Sequence, residues 1–335
     1  MMEPRPLGDP ADCDVWRTYR LYGLAFESNF PFAAQLPSTH TPADLRFTCL
    51  DTAPFGAGEL QGPPVYTSHL QNALGQSICS FYCLPEFDLL RFPGTGDFYL
   101  GCDQIVCQPT DPDNLEGVEL YFLGAVLSCW LERSGVPCLH SSAVVADGGA
   151  VGFLSFNGGG KSSLGAAMVQ GGCPLLTDDV LAVESNPEGF SGRHGYPQMR
   201  LWPTEADHFW GPAASLARVH PDTPKVIVPV GNGGFGAFED SERPLTRFYL
   251  PMRRPPSDHE AAVEFETLSR RDALIEFVRH SFVASLAEAA GWQARRLDFF
   301  ARLAAAVPVK RLIYPSGLEH LPRVRDAILA DLETR

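Results

Sequence analysis

The sequence predicts an α/β protein with a small, mainly β N-terminal domain ahead of a larger α/β domain. Three observations predict it. Residues 1–115 hold short apolar or alternating runs cut by Gly, Pro and Asp, the pattern of strands in a largely antiparallel sheet. Residues 150–172, AVGFLSFNGGGKSSLGAAMVQGG, read as strand, glycine-rich turn and helix. From RRDALIEFVRHSFVASLAEAAG onward the apolar spacing is mainly helical.

The elements follow in order. QSICSFYCLP, FDLLRFPG and DFYLGCDQIVCQP supply the N-terminal strands. QPTDPDNLEG, 108–117, is a polar connection, and it places the domains at 1–115 and 116–335. VELYFLGAVLSCWLERSG, 118–135, has helical spacing with Gly135 as C-cap. HSSAVVADGGAVGFLSF is two apolar runs about Asp-Gly-Gly, a hairpin signal. CPLLTDDVLAVES reads as one strand carrying two adjacent acids. GYPQMRLWP follows, TPKVIVPVGNGGFGAF reads as further β structure, and VPVKRLIYP breaks the C-terminal helices.

Composition excludes several classes. At 335 residues, 45% apolar and 20% charged, the chain has the make-up of a globular protein able to bury a large core. No apolar run reaches the length of a transmembrane helix. The N-terminus shows no basic-then-apolar signal, so the expected compartment is the cytoplasm. A net charge of −14 without a basic run argues against nucleic acid and against an anionic membrane as partner. Nine cysteines, without paired zinc-ligand spacing, read as reduced and mostly buried thiols.

The glycine-rich turn carries the chemistry. A phosphate-binding loop has the form G-x-x-x-x-G-K-[ST]. Here Gly160-Lys161-Ser162 fits its end, and Ser155 stands where the first glycine belongs. Successive backbone N–H groups of Asn157, Gly158, Gly159, Gly160, Lys161, Ser162 and Ser163 can cradle phosphates at a helix N-terminus. Lys161 would reach the β- and γ-phosphates, and the Ser162 hydroxyl would sit on Mg²⁺. Lys161 is one of only three lysines against 23 arginines, which suits a position needing a compact ammonium. Ser155 costs little with β dihedrals, and about 1–2 kcal/mol if its φ is positive. The plain alternative is a Gly-rich β–α turn that binds nothing.

Asp178 and Asp179 come 17 residues after that lysine. Successive side chains on a strand point to opposite sides. One acid can therefore hold Mg²⁺ while the other takes a proton from an acceptor hydroxyl. His140 begins the strand that should neighbour the loop strand. Arg200 and Lys225 are candidates to stabilise charge on a transferring phosphoryl group. The alternatives are a solvated strand end, a structural histidine and two surface cations.

On LHSSAVV (139–145), SFNGGGKSS (155–163), PLLTDDVLAV (174–183) and GYPQMRLWP (195–203), the sequence resembles the HPr serine kinase/phosphorylase family. The resemblance is closer to the peptide-modifying branch that includes lasso-peptide precursor kinases. Weaker similarity runs from YGLAFESNFPF (22–32) to VPVKRLIYPSGLEHL (307–321). The resemblance implies a P-loop kinase core of the HPr kinase/phosphoenolpyruvate carboxykinase-like type. It implies an ATP- and Mg²⁺-dependent serine kinase acting on a serine-containing peptide or small protein, and the family makes homo-oligomers. Asp178 would be the base, with Ser162 and Asp179 at the metal and His140 beside them. The bifunctional enzymes' glycine-rich acidic signature is replaced here by GYPQMRLWP, which favours the peptide-modifying branch. A catalytically inactive nucleotide-binding regulator or scaffold, and a small-molecule kinase, are the other readings open at this point.

Overall fold

Strand-forming runs on either side of a helical segment build separate sheets in this mixed α/β protein. The computed structural model describes residues 15–50, 62–72, 74–220, 223–255 and 262–334. It divides into two compact units, 1–130 with 285–292, and 131–284 with 293–335. The sequence places its boundary earlier, at 115/116. The helical segment accounts for the difference, since its apolar face packs with the first sheet as far as Trp130.

The first unit contains β1 (Arg17–Leu21), β2 (Leu24–Ser28), β3 (Leu45–Cys49) and β4 (Tyr66–Thr67). It continues with β5 (Ser80–Cys83), β6 (Asp88–Phe92), β7 (Gly96–Leu100) and β8 (Gln104–Pro109). These form one sheet ordered β1-β2-β3-β8-β7-β6-β5-β4. The sheet is larger than the sequence suggests, and β3 runs parallel to both β2 and β8. The remaining pairs are antiparallel, as alternating strands joined by short turns favour. Phe26, Phe30, Phe32 and Phe47 pack around Phe122, with Phe47 and Phe122 stacked at 3.7 Å. Phe122 opens a π-helical turn, Phe122–Val126, between α1 (Leu115–Tyr121) and α2 (Leu127–Arg133). The sequence period reads this stretch as one uninterrupted helix.

The second unit is built on β9 (Cys138–Leu139), β10 (Ser141–Ala146), β11 (Gly149–Leu154), β12 (Leu175–Thr177), β13 (Leu181–Asn186) and β14 (Gly189–Gly192). The helix α3 (Lys161–Gln170) lies between β11 and β12. The chain then gives β15 (Gln198–Leu201), α4 (Pro203–Phe209), β16 (Arg218–His220), β17 (Thr223–Pro229) and β18 (Arg243–Arg254). Last come β19 (Glu264–Thr267), α5 (Arg270–Arg279), α6 (Ala284–Ala289), α7 (Gln293–Ala306), β20 (Val309–Pro315) and α8 (Leu321–Glu333). The main sheet runs β12-β10-β11-β18-β14-β13-β9, with β20 pairing β18 and β19. A separate sheet runs β15-β17-β16.

The β10–β11 hairpin forms where the sequence expects it. Asp147 and Gly148 take φ of 49° and 74°, the left-handed pair that a two-residue hairpin turn requires. Alternation then sends neighbouring residues to opposite faces. Ala143, Ala150 and Leu154 pack with Phe277, Phe299 and Phe300 of α5 and α7. Val144, Val151 and Phe153 pack with Leu164, Met168, Val324 and Ile328 of α3 and α8. With both faces covered, every residue of β11 is buried, which holds the loop after it on a rigid strand. Among the described residues no helix is long and apolar enough to cross a membrane.

Candidate functional site

The segment 155–160 leaves β11 and turns into α3. Gly158 and Gly160 take φ of 77° and 99°, conformations that other residues adopt only at a cost. Ser155 is not among the residues of positive φ, so it keeps ordinary dihedrals and the glycines make the turn. A Cβ on Gly159 would stand 2.6 Å from that of Ser155, and one on Gly160 would meet the Tyr314 hydroxyl at 3.0 Å. The loop therefore needs glycine here for space as well as for φ. Gly160 is the N-cap of α3 without a side-chain cap, which leaves the first backbone N–H groups of the helix to find another acceptor.

Lys161 opens α3 and is only 3% exposed. Burial pushes its ammonium below the ordinary lysine range, Asp179 and Asp178 oppose that, and Lys225 and Arg200 add to it. Ser162 Oγ donates to Asp178 Oδ1 at 3.0 Å. Ser163 Oγ donates to Glu205 at the start of α4. The Asp178 Oδ2 accepts from the backbone N–H of Arg200 at 2.9 Å.

The strand expected over 173–185 is interrupted at the acids themselves. β12 ends at Thr177 and β13 starts at Leu181, and Asp179 takes φ of 108°. Such a conformation in a non-glycine residue costs about 1–3 kcal/mol and marks functional sites. The break corrects the expectation that the two carboxylates face opposite sides of a strand: both meet β15. Asp179 Oδ2 pairs with Arg200 Nη1 at 2.9 Å, and its Oδ1 lies 3.3 Å from His140 Nδ1. Burial alone would raise the Asp179 carboxyl, but Arg200, then His140 and Lys161, hold it below the usual carboxylate range.

His140 also approaches the Asp179 carbonyl oxygen through Nδ1 at 3.1 Å and Asn157 Oδ1 through Nε2 at 3.2 Å. Burial pushes the imidazole down despite Asp179, with Lys161 adding to the shift. Arg200 completes the group by donating from Nη2 to the Tyr196 hydroxyl at 2.9 Å. Lys225 reaches in from β17 and stands 5.6 Å from the ring centre of Trp202.

Beside this group lies a cavity of about 140 Å³ lined by Gly158, Gly160, Lys161, Ser162, Ser163, Arg200, Trp202, Glu205, Lys225 and Arg253. A roomier cavity of about 330 Å³ lies in the first unit between Glu27, Asp44, Arg46 and Asp103. Arg46 there is already paired with Glu27 at 2.5 Å. Volume alone does not choose between them; the convergence of buried titratable groups with a helix N-terminus favours the smaller one.

Each residue singled out from the sequence lies in or beside this group, including Asn157 against His140 and Ser163 against Glu205. Sequence reasoning missed Tyr196, Trp202, Glu205 and Arg253. Pro203 and Glu205 after Trp202 form a helix-start signal, but that signal carries no chemistry. Arg253, which donates to the Gly158 carbonyl, is lost among 23 arginines.

Hard oxygen donors, a hydroxyl and two carboxylates, suit Mg²⁺, which takes one or two protein ligands and completes its shell with phosphates and water. Among the described residues no group of three or more His, Cys, Asp or Glu forms an all-protein metal cage. Four cationic side chains at the cavity, Lys161, Arg200, Lys225 and Arg253, suit a polyanion.

No family model matches the chain, and no curated protein matches it. Among solved structures, the HPr(Ser) kinase/phosphatase from Coxiella burnetii aligns at 14% identity over 58% of this chain and 95% of that chain. The TM-score of that alignment is 0.28, too low to fix fold or function.

Proposed function

We propose that this protein is an ATP- and Mg²⁺-dependent kinase that transfers the γ-phosphoryl group to a serine hydroxyl of a peptide or small protein. One observation carries the reading: Lys161, Ser162 and Arg200 line one cavity at the N-terminus of α3, and Ser162 and Arg200 are hydrogen-bonded to Asp178 and Asp179 behind them. The serine acceptor rests on the family resemblance, and the N-terminal sheet is our candidate for recognising it.

Bound Mg²⁺ would neutralise charge on the transferring phosphoryl oxygens. The chain's own residues do the rest. The α3 N-terminus and Lys161 bind the phosphates, because backbone N–H groups and a dry ammonium are preorganised donors. Ser162 and Asp179 are the metal-side donors. Arg200 keeps Asp179 anionic, which suits a cation ligand and makes it the poorer proton acceptor. Among the described residues Asp178 accepts from the Ser162 hydroxyl and the Arg200 amide, and it takes the acceptor's proton. Arg200 and Lys225 stabilise the charge that spreads over the phosphoryl group.

Calorimetric titration with Mg·ATP tests the site, with Lys161→Ala beside the wild type. Wild-type binding that disappears in the variant is the expected result; equal binding in both would move the nucleotide elsewhere. Transfer from labelled ATP to serine peptides then separates the acids. Asp178→Asn should still bind Mg·ATP but lose about 10²–10⁴-fold in transfer. Asp179→Asn should raise the Mg²⁺ concentration needed for binding. Normal transfer by Asp178→Asn would remove it as the base.

A further inference from the structure

Ser155 is the one departure from the phosphate-loop pattern, and its hydroxyl has no hydrogen-bond partner among the described residues. The residue is 7% exposed, and Oγ is buried without a hydrogen bond. Such a group carries a desolvation penalty that folding does not recover. Two other serine hydroxyls share this state among the described residues, Ser128 in α2 and Ser142 in β10. Both lie inside regular elements, whereas Ser155 stands at the start of the loop.

Its surroundings are set by Gly159. A Cβ built there would lie 2.6 Å from Ser155 Cβ and 2.8 Å from its Oγ, so the Ser155 side chain lies directly against Gly159 within the loop. That loop ends at the uncapped N-terminus of α3. Gly159 is flanked by glycines with φ of 77° and 99°, and it carries no side chain. Glycines here place the fewest limits on the backbone dihedrals of the loop.

We propose that Ser155 is a direct phosphate-binding residue, donating its hydroxyl hydrogen to an oxygen of a phosphate group held by the loop. The inference rests on the reading of this loop as a nucleotide site. A phosphate oxygen is a charged acceptor, the strongest kind a hydroxyl meets. It would satisfy a donor that the free protein leaves unpaired. On this account the serine is an added ligand in the position where the motif has glycine.

The test is calorimetric titration with Mg·ADP, and separately with tripolyphosphate, which has neither base nor ribose. Wild type, Ser155→Ala, Ser155→Gly and Lys161→Ala are compared. Both Ser155 variants should bind each probe about tenfold more weakly, the loss of one hydrogen bond to a charged group. In the absence of ligand, Ser155→Ala should melt at or above the wild-type temperature, because it removes an unsatisfied buried hydroxyl. The order should reverse when the probe is saturating.

Ser155 variants that match the wild type, while Lys161→Ala fails to bind, would overturn the role of Ser155 and leave the loop reading intact. Tighter binding by Ser155→Gly would overturn it too. So would a lower melting temperature of ligand-free Ser155→Ala, since the hydroxyl would then have a partner inside the protein. A wild type that binds neither probe removes both the loop reading and this inference.

Discussion

Arg200 holds three parts of the site at once. Its guanidinium spans Asp179 and the Tyr196 hydroxyl, both at 2.9 Å, and its backbone N–H fixes Asp178. A planar fork can do this; a single ammonium cannot. Arg200→Lys keeps the charge and loses the span. Asp179, already at φ of 108°, would keep its backbone strain and lose one side of its clamp. On the kinase activity proposed above, the transfer rate should fall about 10–100-fold, with a smaller change in Mg·ATP affinity because Lys161 and the loop are untouched. Steady-state kinetics beside nucleotide titration checks this. An unchanged rate would make Arg200 a structural cation only.

At the scale of elements, the loop is held in place because α3 is seated tightly on β10. A Cβ on Gly165 would lie 2.4 Å from Ser142 Oγ and 3.2 Å from Met199 Cε. Gly165→Ala should therefore overpack the contact and destabilise by about 1–3 kcal/mol. Ser142→Ala removes the clashing atom, whose hydroxyl is unpaired in any case, and the double variant should recover most of the loss. Denaturant unfolding of the four proteins measures the coupling; strict additivity would mean that α3 does not meet β10 at this point. The hairpin, loop and helix are legible in the sequence because each follows a local rule. Asp147-Gly148 sets a turn and three glycines precede Lys-Ser. The break between β12 and β13 is not legible. Leu175 to Val183 is apolar on both sides of the acids, and only the separate pairings of β12 with β10 and of β13 with β14 divide it. The same break brings Asp178 and Asp179 to one place, a geometry that alternation along a single strand misses.

For the whole molecule, legibility stops where distant segments meet. Nothing local says that 285–292 belongs with the first unit. Nothing local says that Glu132 is buried against Arg296, each 1% exposed. The charges buried in the second unit nevertheless make one collective prediction. Asp331 accepts from Lys310 at 2.6 Å, Tyr249 at 2.7 Å and Arg247 at 2.9 Å. Burial would raise its carboxyl, but these partners hold it below the usual range. Asp179 is lowered in the same way. Stability from such carboxylates is present above the unfolded value near 4 and is lost as pH falls through the folded one. His280 acts earlier. Burial, then His140 and Lys161, push its imidazole from 6.5 to about 4. Between those values the unfolded chain binds a proton that the folded chain refuses, so stability falls as pH drops from 6.5 towards 4. The loss from His280 alone between pH 7 and pH 5 is about 2 kcal/mol. Urea unfolding at the two pH values should show it in the wild type, and His280→Gln should shrink the difference by that amount. An equal pH difference in both proteins would mean that His280 takes up its proton as readily in the folded chain as in the unfolded one. His140, also pushed down by burial, would then be the next group to test in that window, and Asp331→Asn would flatten only the loss at lower pH.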